Sequence, residues 1–286
     1  MQLCLRKQDT CISEPEQPEL LLLAPGAGPG LASFEPTRFR NVITDGHWRR
    51  DLLAAMQRFR GTIALEEGAV KASQLTADGR HEMEGDHQAW HLLLCQGEEI
   101  VGCMRSVWYC PTVRATDLLV WRGALARSAE WGFSLRAAVE QQLASARSRG
   151  VHFSEPGGWV VAPSHRGTMG AIRLALSGFA LAGILGHAVG VLTATRKHQS
   201  AAMLRRLGGK PLAFGGTTLP AYYEPHYDCD IEILSFDTAH VRSCYDHTVR
   251  EIRDRIRHSC TIVTAGLAAS AYRAAGSTPT LLEAAL

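Results

Sequence analysis

The sequence lacks the short motifs that mark several large enzyme classes. It contains no G-x-x-x-x-G-K phosphate loop, no G-x-S-x-G serine elbow and no H-E-x-x-H zinc motif. His87 and His91 are four residues apart, but His91 falls in a predicted strand, so a helical metal-binding pair is not expected. The sequence therefore predicts none of these three chemistries, and we expect no metal site.

The sequence also has little net charge and no closely spaced cysteine pair. Its formal net charge is +2, which gives no reason to expect a nucleic-acid partner. None of the eight cysteines belongs to a C-x-x-C motif. The leucine run at 20–23 follows Glu14, Glu16 and Glu19, which is the wrong flank for a signal peptide. We therefore expect reduced cysteines and a cytoplasmic protein.

One long run of the sequence lacks charge. Residues 174–195 contain no Asp, Glu, Lys or Arg, and the run is long enough to cross a bilayer. Glycines interrupt it, however, and residues 190–195 have the β-branched composition of a strand. The pattern predicts a buried helix, a turn near His187 and a buried strand. We therefore expect no transmembrane segment.

The composition predicts one globular domain with two irregular ends. The chain is 46% hydrophobic and 20% charged, which is ordinary for a folded protein. Residues 1–36 are rich in proline and glycine and predict a mobile N-terminal arm. We assign residues 37–262 to a single domain and residues 263–286 to a C-terminal tail.

Hydrophobic periodicity places helices and strands in alternation. Apolar spacing predicts helices at 51–60, 127–149 and about 198–207, and a last helix with Tyr245, Val249, Ile252 and Ile256 on one face. Residues 90–95 and 100–105 flank a turn and predict a β-hairpin, while 230–236 alternate as a strand does. The order predicts a mixed α/β (α+β) fold.

The segment 157–176 predicts a strand, a short turn and a long apolar helix. Pro163 stops the strand, and Arg166, Gly167 and Thr168 lead into the helix. The first amides of a helix have no internal partner and carry partial positive charge, so a phosphate is favoured there. The alternative is an ordinary connection with an exposed arginine, and the turn alone does not separate the two.

The same turn resembles a known superfamily. V-x-P-x-x-R-G ahead of an apolar helix is similar to the phosphopantetheine-binding segment of the GNAT superfamily of N-acyltransferases, whose pattern is Arg/Gln-x-x-Gly-x-Gly/Ala. Arg166 and Ala171 match this pattern, and Met169 replaces its first glycine. Residues 193–201, 204–209 and the tyrosine-rich stretch 222–237 resemble a narrower branch, the long-chain N-acyl amino acid synthases, which are relatives of acyl-homoserine-lactone synthases.

The resemblance, which covers roughly residues 90–237, implies a fold and a reaction. The fold would be a GNAT-like mixed sheet with helices on its faces and an extra C-terminal helix. Its two central parallel strands, here 159–162 and 191–195, would splay apart to hold a pantetheine arm. The reaction would move a long-chain acyl group from an acyl carrier protein or acyl-CoA thioester to the amine of an amino acid. That acyl-phosphopantetheine thioester would be a co-substrate, with no tightly bound cofactor.

The resemblance also assigns roles to residues. Glu155 would be the general base, and the amide of Val160 or Val161 would hold the oxyanion. Leu204 stands where the superfamily often has a tyrosine acid, so Tyr222, Tyr223, Tyr227 or water must replace it, or the thiolate leaves unprotonated; we assign Tyr223 as catalytic. The remaining donor-binding residues would be Arg166, Gly167, Thr168, Met169, Gly170 and Ala171. The substrate-binding residues would be Arg105, Trp159, Thr195, His198 and Tyr222.

Several alternatives stay open at the level of sequence. Met169 fits a donor with one phosphate, as on a carrier protein, or it is a helix residue packed in the core. The basic residues Arg196, Lys197, His198, Arg205 and Arg206 could dock an acidic carrier protein or be only solvated. An acetyl-CoA-dependent acetyltransferase is a second possible function. A non-catalytic module that binds an acyl carrier or another ligand is a third.

Overall fold

The protein forms one large mixed sheet with helices on both faces. The structure is a computed structural model and describes residues 18–28, 30, 34–197 and 199–264. The helices in this part of the chain are α1 (Gly46–Glu66), α2 (Gly132–Arg149), α3 (Met169–Leu185), α4 (Ser200–Arg206) and α5 (Asp246–His258). None of these helices is long and apolar enough to cross a membrane.

Most strands of the main sheet lie in chain order across it, and the last strand returns to pair with the first. They are β1 (Glu19–Leu23), β2 (Asn41–Thr44), β3 (Ala89–Gln96), β4 (Glu99–Tyr109), β5 (His152–Val161), β6 (Ala188–Thr195), β7 (Lys210–Pro211), β8 (Ala213–Phe214), β9 (Thr217–Thr218), β10 (Tyr222–Glu224), β11 (Cys229–Asp237) and β12 (Cys260–Val263). The order across the main sheet is β10-β11-β6-β5-β4-β3-β1-β12-β2, with β7 beside β11. β5 and β6 are the parallel pair at its centre.

The sheet separates the core into layers. α3, α4 and α5 cover one face, where Leu22, Leu92 and Leu176 are buried. The other face is covered by α1, which packs on residues such as Leu21 and Leu93, and by α2, which packs on residues such as Phe153. Successive residues of a strand point to opposite faces, so each central strand supplies both layers.

The uncharged run at 174–195 is a helix and a strand, as predicted. α3 ends at Leu185, Gly186 has a φ of 107° and His187 a φ of 65°, and β6 begins at Ala188. Gly186 fits a left-handed helix end, where glycine has no Cβ to strain. The predicted hairpin, the strand at 230–236 and the last helix are likewise confirmed as β3–β4, β11 and α5.

The predicted mobile arm at 1–36 is wrong for residues 19–23. These residues form β1, which pairs with β3 on one side and β12 on the other. Leu22 and Leu23 are fully buried on opposite faces, so the run has no polar side to give an alternating pattern. Residues 1–17 lie outside the described residues, as do 265–286, which make up most of the predicted tail.

Close backbone contact fixes the point where β5 and β6 last pair. A Cβ at Gly190 would lie 2.3 Å from the carbonyl oxygen of Ser154, its partner across the two strands. We expect Gly190→Ala to lower the free energy of unfolding in urea by about 2 kcal/mol, because backbone must move to admit the methyl group. Gly46→Ala, at an open position of α1, is the control. Equal stability of both variants would contradict this.

Candidate active site at the splayed strands

A cleft opens in the middle of the sheet where two neighbouring strands separate. β5 and β6 pair at 152–154 and 188–190 and no further, although β5 continues to Val161 and β6 to Thr195. Residues 156–160 are half-buried and Thr193 is exposed, although all of them belong to central strands. This is the splay that the sequence predicts, and it leaves an opening between the two layers of helices.

The cleft exposes backbone on the β5 side. β4 pairs with one edge of β5 as far as Val161, which lies opposite Gly102. Beyond Ser154 the other edge faces the cleft, and no described strand pairs with it. An extended ligand that carries amides can add to such an edge as a strand would. Val160 and Val161 lie in this part of β5.

The turn at the end of β5 leads into α3, and Thr168 caps one of the first amides of this helix. Gly167 has a φ of 69°, which favours glycine, and Thr168 caps the helix by accepting a hydrogen bond from the Gly170 amide at 3.1 Å. Met169 is the first residue of α3 and its side chain is 54% exposed. The alternative that Met169 is a packed core residue is therefore wrong. Ala171, one turn in, is buried.

Arg166 ties this turn to two other parts of the fold. Its Nη2 lies 2.5 Å from Oε1 of Glu67 at the end of α1, and its Nε donates to the Val161 carbonyl at 3.3 Å. The side chain is 43% exposed, so the guanidinium is held in place but remains open to solvent. A cation held beside helical amides can clamp an anion.

On the α1 face, a buried carboxylate lies between two arginines. Asp86 accepts from Nη2 of Arg60 at 2.6 Å and from Nη1 of Arg105 at 3.1 Å, and its main chain and side chain are also held by neighbours. Burial acts to raise the pKa of Asp86, but the charges of Arg60 and Arg105 lower it more, so its pKa lies below the usual range. Two cations share one anion, and the cluster keeps a positive charge.

The arginine cluster lies directly against β5. Gly158 has a φ of 57°, and a Cβ there would lie 3.2 Å from Nη1 of Arg60 and 3.4 Å from Cγ of Arg105. The pairing of β4 and β5 shifts register at this place, which is a β-bulge. Arg105 Nε is buried and has no partner among the described residues. An unsatisfied buried donor beside a cleft is a position that a polar ligand can fill.

Glu155 lies deep in the α2 face. Its Oε2 accepts from Tyr109 Oη at 2.6 Å and from the Leu119 amide at 2.7 Å, and its Oε1 accepts from the Val120 amide at 2.7 Å. Burial raises the pKa of Glu155, and these hydrogen bonds and the charge of Arg105 act in the opposite direction. The predicted base is therefore a carboxyl that is held tightly by its neighbours.

Residues 118–124, called here the bridging segment, connect the two sides of the cleft. Glu155 of β5 binds two amides near its start, and Glu224 of β10 accepts from the Ala124 amide at 2.8 Å at its end. Tyr222 reaches the same place, since a Cβ on Gly123 would lie 2.9 Å from Tyr222 Oη. That hydroxyl is buried and has no partner among the described residues.

The turn between β10 and β11 reaches from the other side of the cleft to the loop before β3. His226 contacts Gln74, whose Nε2 donates to the His226 carbonyl at 3.2 Å, and its ring stacks on His81 at 6.4 Å. Burial and the charge of Arg60 lower the pKa of His81 to about 4, so the ring is neutral near pH 7. Tyr227 packs edge-on against His226, at 4.8 Å between ring centroids.

The other predicted residues take separate positions. Tyr223 is 53% exposed and its hydroxyl bonds to Asp228. Trp159 is half-buried in β5 with an unpartnered Nε1, and Thr195 Oγ1 lies 2.8 Å from Ser200 Oγ. His198 lies outside the described residues. No group of three His, Cys, Asp or Glu side chains in the described part of the chain could hold a metal ion.

Arg60 and Asp86 form a buried ion pair that the sequence did not predict. Arg60 follows Leu52, Leu53 and Met56 at helical spacing and occupies an apolar position of α1, which is a signal that a buried charge is paired. Asp86 lies in an irregular turn, and nothing in the local pattern singles it out. The fold brings these two residues together, although they are far apart in the sequence.

A large apolar cavity adjoins the start of α3. It has a volume of about 1300 Å³ and extends from the start of α3, at Thr168 and Gly170, around the end of the β3–β4 hairpin. Apolar side chains from α1 and the sheet line it, among them Leu52, Phe59 and Ile100. Its lining includes neither the cleft residues of β5 nor those of β6.

No family model matches the sequence, and no curated protein matches it. Among solved structures, a CoA-dependent acyl-homoserine lactone synthase, BjaI, is 18% identical, over 81% of this chain and 97% of that one, with a TM-score of 0.49. A second such synthase, MesI, is 18% identical over 86% and 100%, with a TM-score of 0.45. FeeM, an N-acyl amino acid synthase from uncultured soil microbes, is 12% identical over 78% and 92%, with a TM-score of 0.44.

These solved structures belong to the two groups of synthases that the sequence resembles. The splay of β5 from β6 and the flanking helices confirm the predicted mixed α/β fold: a mixed sheet whose central strands part, with helices on both faces and an additional C-terminal helix.

Proposed function

We propose that this protein is an N-acyltransferase that moves a long-chain fatty acyl group from a thioester to the amine of an amino acid. The donor would be an acyl carrier protein, with acyl-CoA as the other form of the same phosphopantetheine thioester. The observation that carries the proposal is the cleft. It has unpaired strand backbone along one wall, an open helix start at one end, and unsatisfied buried polar groups on the opposite face.

The donor would enter from the α3 side. Its phosphate would bind the first amides of α3 beside Arg166, and the amides of its pantetheine arm would pair with the free edge of β5. The thioester oxygen would then meet the amide of Val160 or Val161, which acts as the oxyanion donor. The fixed position of Arg166 between Glu67 and β5 supports this placement.

The amino acid would bind on the opposite side of the sheet. Arg105 carries a charge that suits a carboxylate, and its unpartnered Nε supports a ligand contact at that atom. Tyr222 Oη is the second unsatisfied group, and it lies across the bridging segment from Glu155. Glu155 would accept the proton of the amine as nitrogen attacks the thioester carbon. The new C–N bond then replaces the C–S bond, and the thiolate leaves.

Tyr223 would return a proton to that thiolate. In the structure its hydroxyl is bonded to Asp228, so this hydrogen bond must break before Tyr223 can serve as the acid. The carrier protein would dock on the basic residues around α4. Glu232 pairs with Arg196 and Arg205, which leaves Lys197 and Arg206 as the cations available to an acidic partner. The free described cysteines support a cytoplasmic setting.

Acetyl transfer from acetyl-CoA is the second candidate. The observation that favours it is the exposure of Met169, because its side chain leaves the helix start uncovered and a pyrophosphate can approach the amides there. The acceptor would then be a small amine or a protein. A single assay separates these donors.

A product assay by mass spectrometry tests the proposal. Purified protein is given palmitoyl carrier protein, palmitoyl-CoA or acetyl-CoA in parallel, each with a pool of amino acids. We expect an N-palmitoyl amino acid, formed mainly from the carrier thioester. Product from acetyl-CoA alone would replace the proposal with the second candidate. Binding of a donor without any product would indicate a non-catalytic module.

Arg166 gives a prediction for the donor side. We expect Arg166→Ala to raise the KM for the carrier thioester about tenfold with little change in kcat, because one charge-assisted hydrogen bond to phosphate is lost. Arg173→Ala removes an exposed cation further along α3 and is the matched control. Steady-state kinetics at varied donor concentration measure both. An equal rise in KM for the two variants would show that only general charge matters.

Tyr222 gives a prediction for the acceptor side. Its hydroxyl has no protein partner to lose, so Tyr222→Phe should leave the free energy of unfolding unchanged or slightly higher. The KM for the amino acid should nevertheless rise about tenfold, because the hydroxyl is lost as a ligand contact. Urea unfolding and acceptor kinetics measure the two effects. A stable variant with an unchanged acceptor KM would remove Tyr222 from the site.

A further inference from the structure

We propose that Tyr109 is a positioning residue that aims the carboxyl of Glu155 and leaves its Oε1 as the atom that accepts the proton. Tyr109 is the last residue of β4, the strand that pairs with β5 on the edge opposite the cleft. Its hydroxyl donates to Glu155 Oε2 at 2.6 Å, and both side chains are buried. The inference rests on the proposed function, in which Glu155 is the base.

The three donors around Glu155 are divided unequally between its oxygens. Oε2 accepts from Tyr109 and from the Leu119 amide, which uses both of its lone pairs. Among the described residues, Oε1 accepts from the Val120 amide alone, so one lone pair remains. A proton taken from the attacking amine, directly or through one water, can therefore settle only on Oε1. The O–H bond forms there as the N–H bond breaks.

Tyr109 is also the donor to this carboxyl that can be removed without changing the backbone. The other two donors are main-chain amides of the bridging segment. The charged and titratable groups that face Glu155 are Tyr109 and Arg105, both from β4, and Glu84 acts in turn on Tyr109. Burial raises the pKa of Glu155, whereas the Tyr109 hydrogen bond and the charge of Arg105 hold it down. Removing the Tyr109 hydroxyl therefore removes one of the interactions that lower the pKa of Glu155.

The sign of the effect follows from this balance. A base works in its ionised form, so activity appears as the pH rises through the pKa of Glu155. Tyr109→Phe removes a hydrogen bond that favours the ionised form, and the pKa of Glu155 must rise further. The acid limb of the kcat/KM profile should then move to higher pH. With Oε2 held by the Leu119 amide alone, kcat should fall about tenfold while the KM for the donor stays unchanged.

The experiment compares Tyr109→Phe, Glu155→Gln, Tyr245→Phe and the unaltered protein across the pH range. Tyr245→Phe is the matched control, since Tyr245 packs on the α5 side of the sheet. We expect Glu155→Gln to bind the donor but to lose the acid limb, and Tyr245→Phe to keep the profile of the unaltered protein. A Tyr109→Phe profile that superimposes on the unaltered one would overturn the proposal, as would a Glu155→Gln protein with unchanged activity.

A second readout does not depend on turnover. Infrared difference spectra between the unaltered protein and Glu155→Gln isolate the carboxyl band of Glu155, whose disappearance with rising pH reports its titration. In Tyr109→Phe this titration should lie at higher pH. If no thioester yields a product, the proposed function fails, yet this titration still decides whether Tyr109 holds the carboxyl. An unshifted band would overturn the positioning role even in an active enzyme.

Discussion

The site depends on the separation of two parallel strands at one pair of residues. Ser154 and Gly190 form the last contact between β5 and β6, and beyond them each strand keeps its neighbour on one edge alone. Buried backbone amides and carbonyls need hydrogen-bond partners, and those that face the gap have no neighbouring strand to supply them. Such unpaired backbone is tolerated where the opening stays in contact with solvent or is filled by a ligand.

Charge and hydrogen bonding hold the opening in its shape. On one side Asp86 draws Arg60 and Arg105 against the bulge of β5. On the other side, Glu155 and Glu224 accept hydrogen bonds from backbone amides at the two ends of the bridging segment. Buried carboxylates recur as the fixing groups because each can accept several hydrogen bonds at once. The face covered by α3 presents the first amides of that helix beside Arg166, so the two faces of the sheet offer different binding groups to the opening.

Sequence patterns predicted the parts of this fold that local chemistry determines. The hairpin of β3 and β4, the amphipathic α5 and the division of 174–195 into a helix and a strand all follow from short-range periodicity. β1 could not be predicted in this way, because its leucines are buried on both faces of the sheet and its partner β12 lies near the other end of the chain. Arg60 is an unexpected charge at an apolar position of α1. Its partner Asp86 lies beyond a loop whose conformation no sequence pattern predicts. Glu155 was proposed as the base from the sequence, whereas its three hydrogen-bond donors could be identified only from the fold.

The contact between Gly158 and Arg60 restricts how this site can change. The left-handed backbone at Gly158 and the Arg60 guanidinium, 3.2 Å from the position that a Cβ would take, together disfavour any larger residue at this position. Shortening Arg60 would in turn leave Asp86 with a single cation. The wall of the cleft, the bulge and the ion cluster are thus structurally coupled. A substitution at one of these positions changes the shape of the opening unless the other positions change with it.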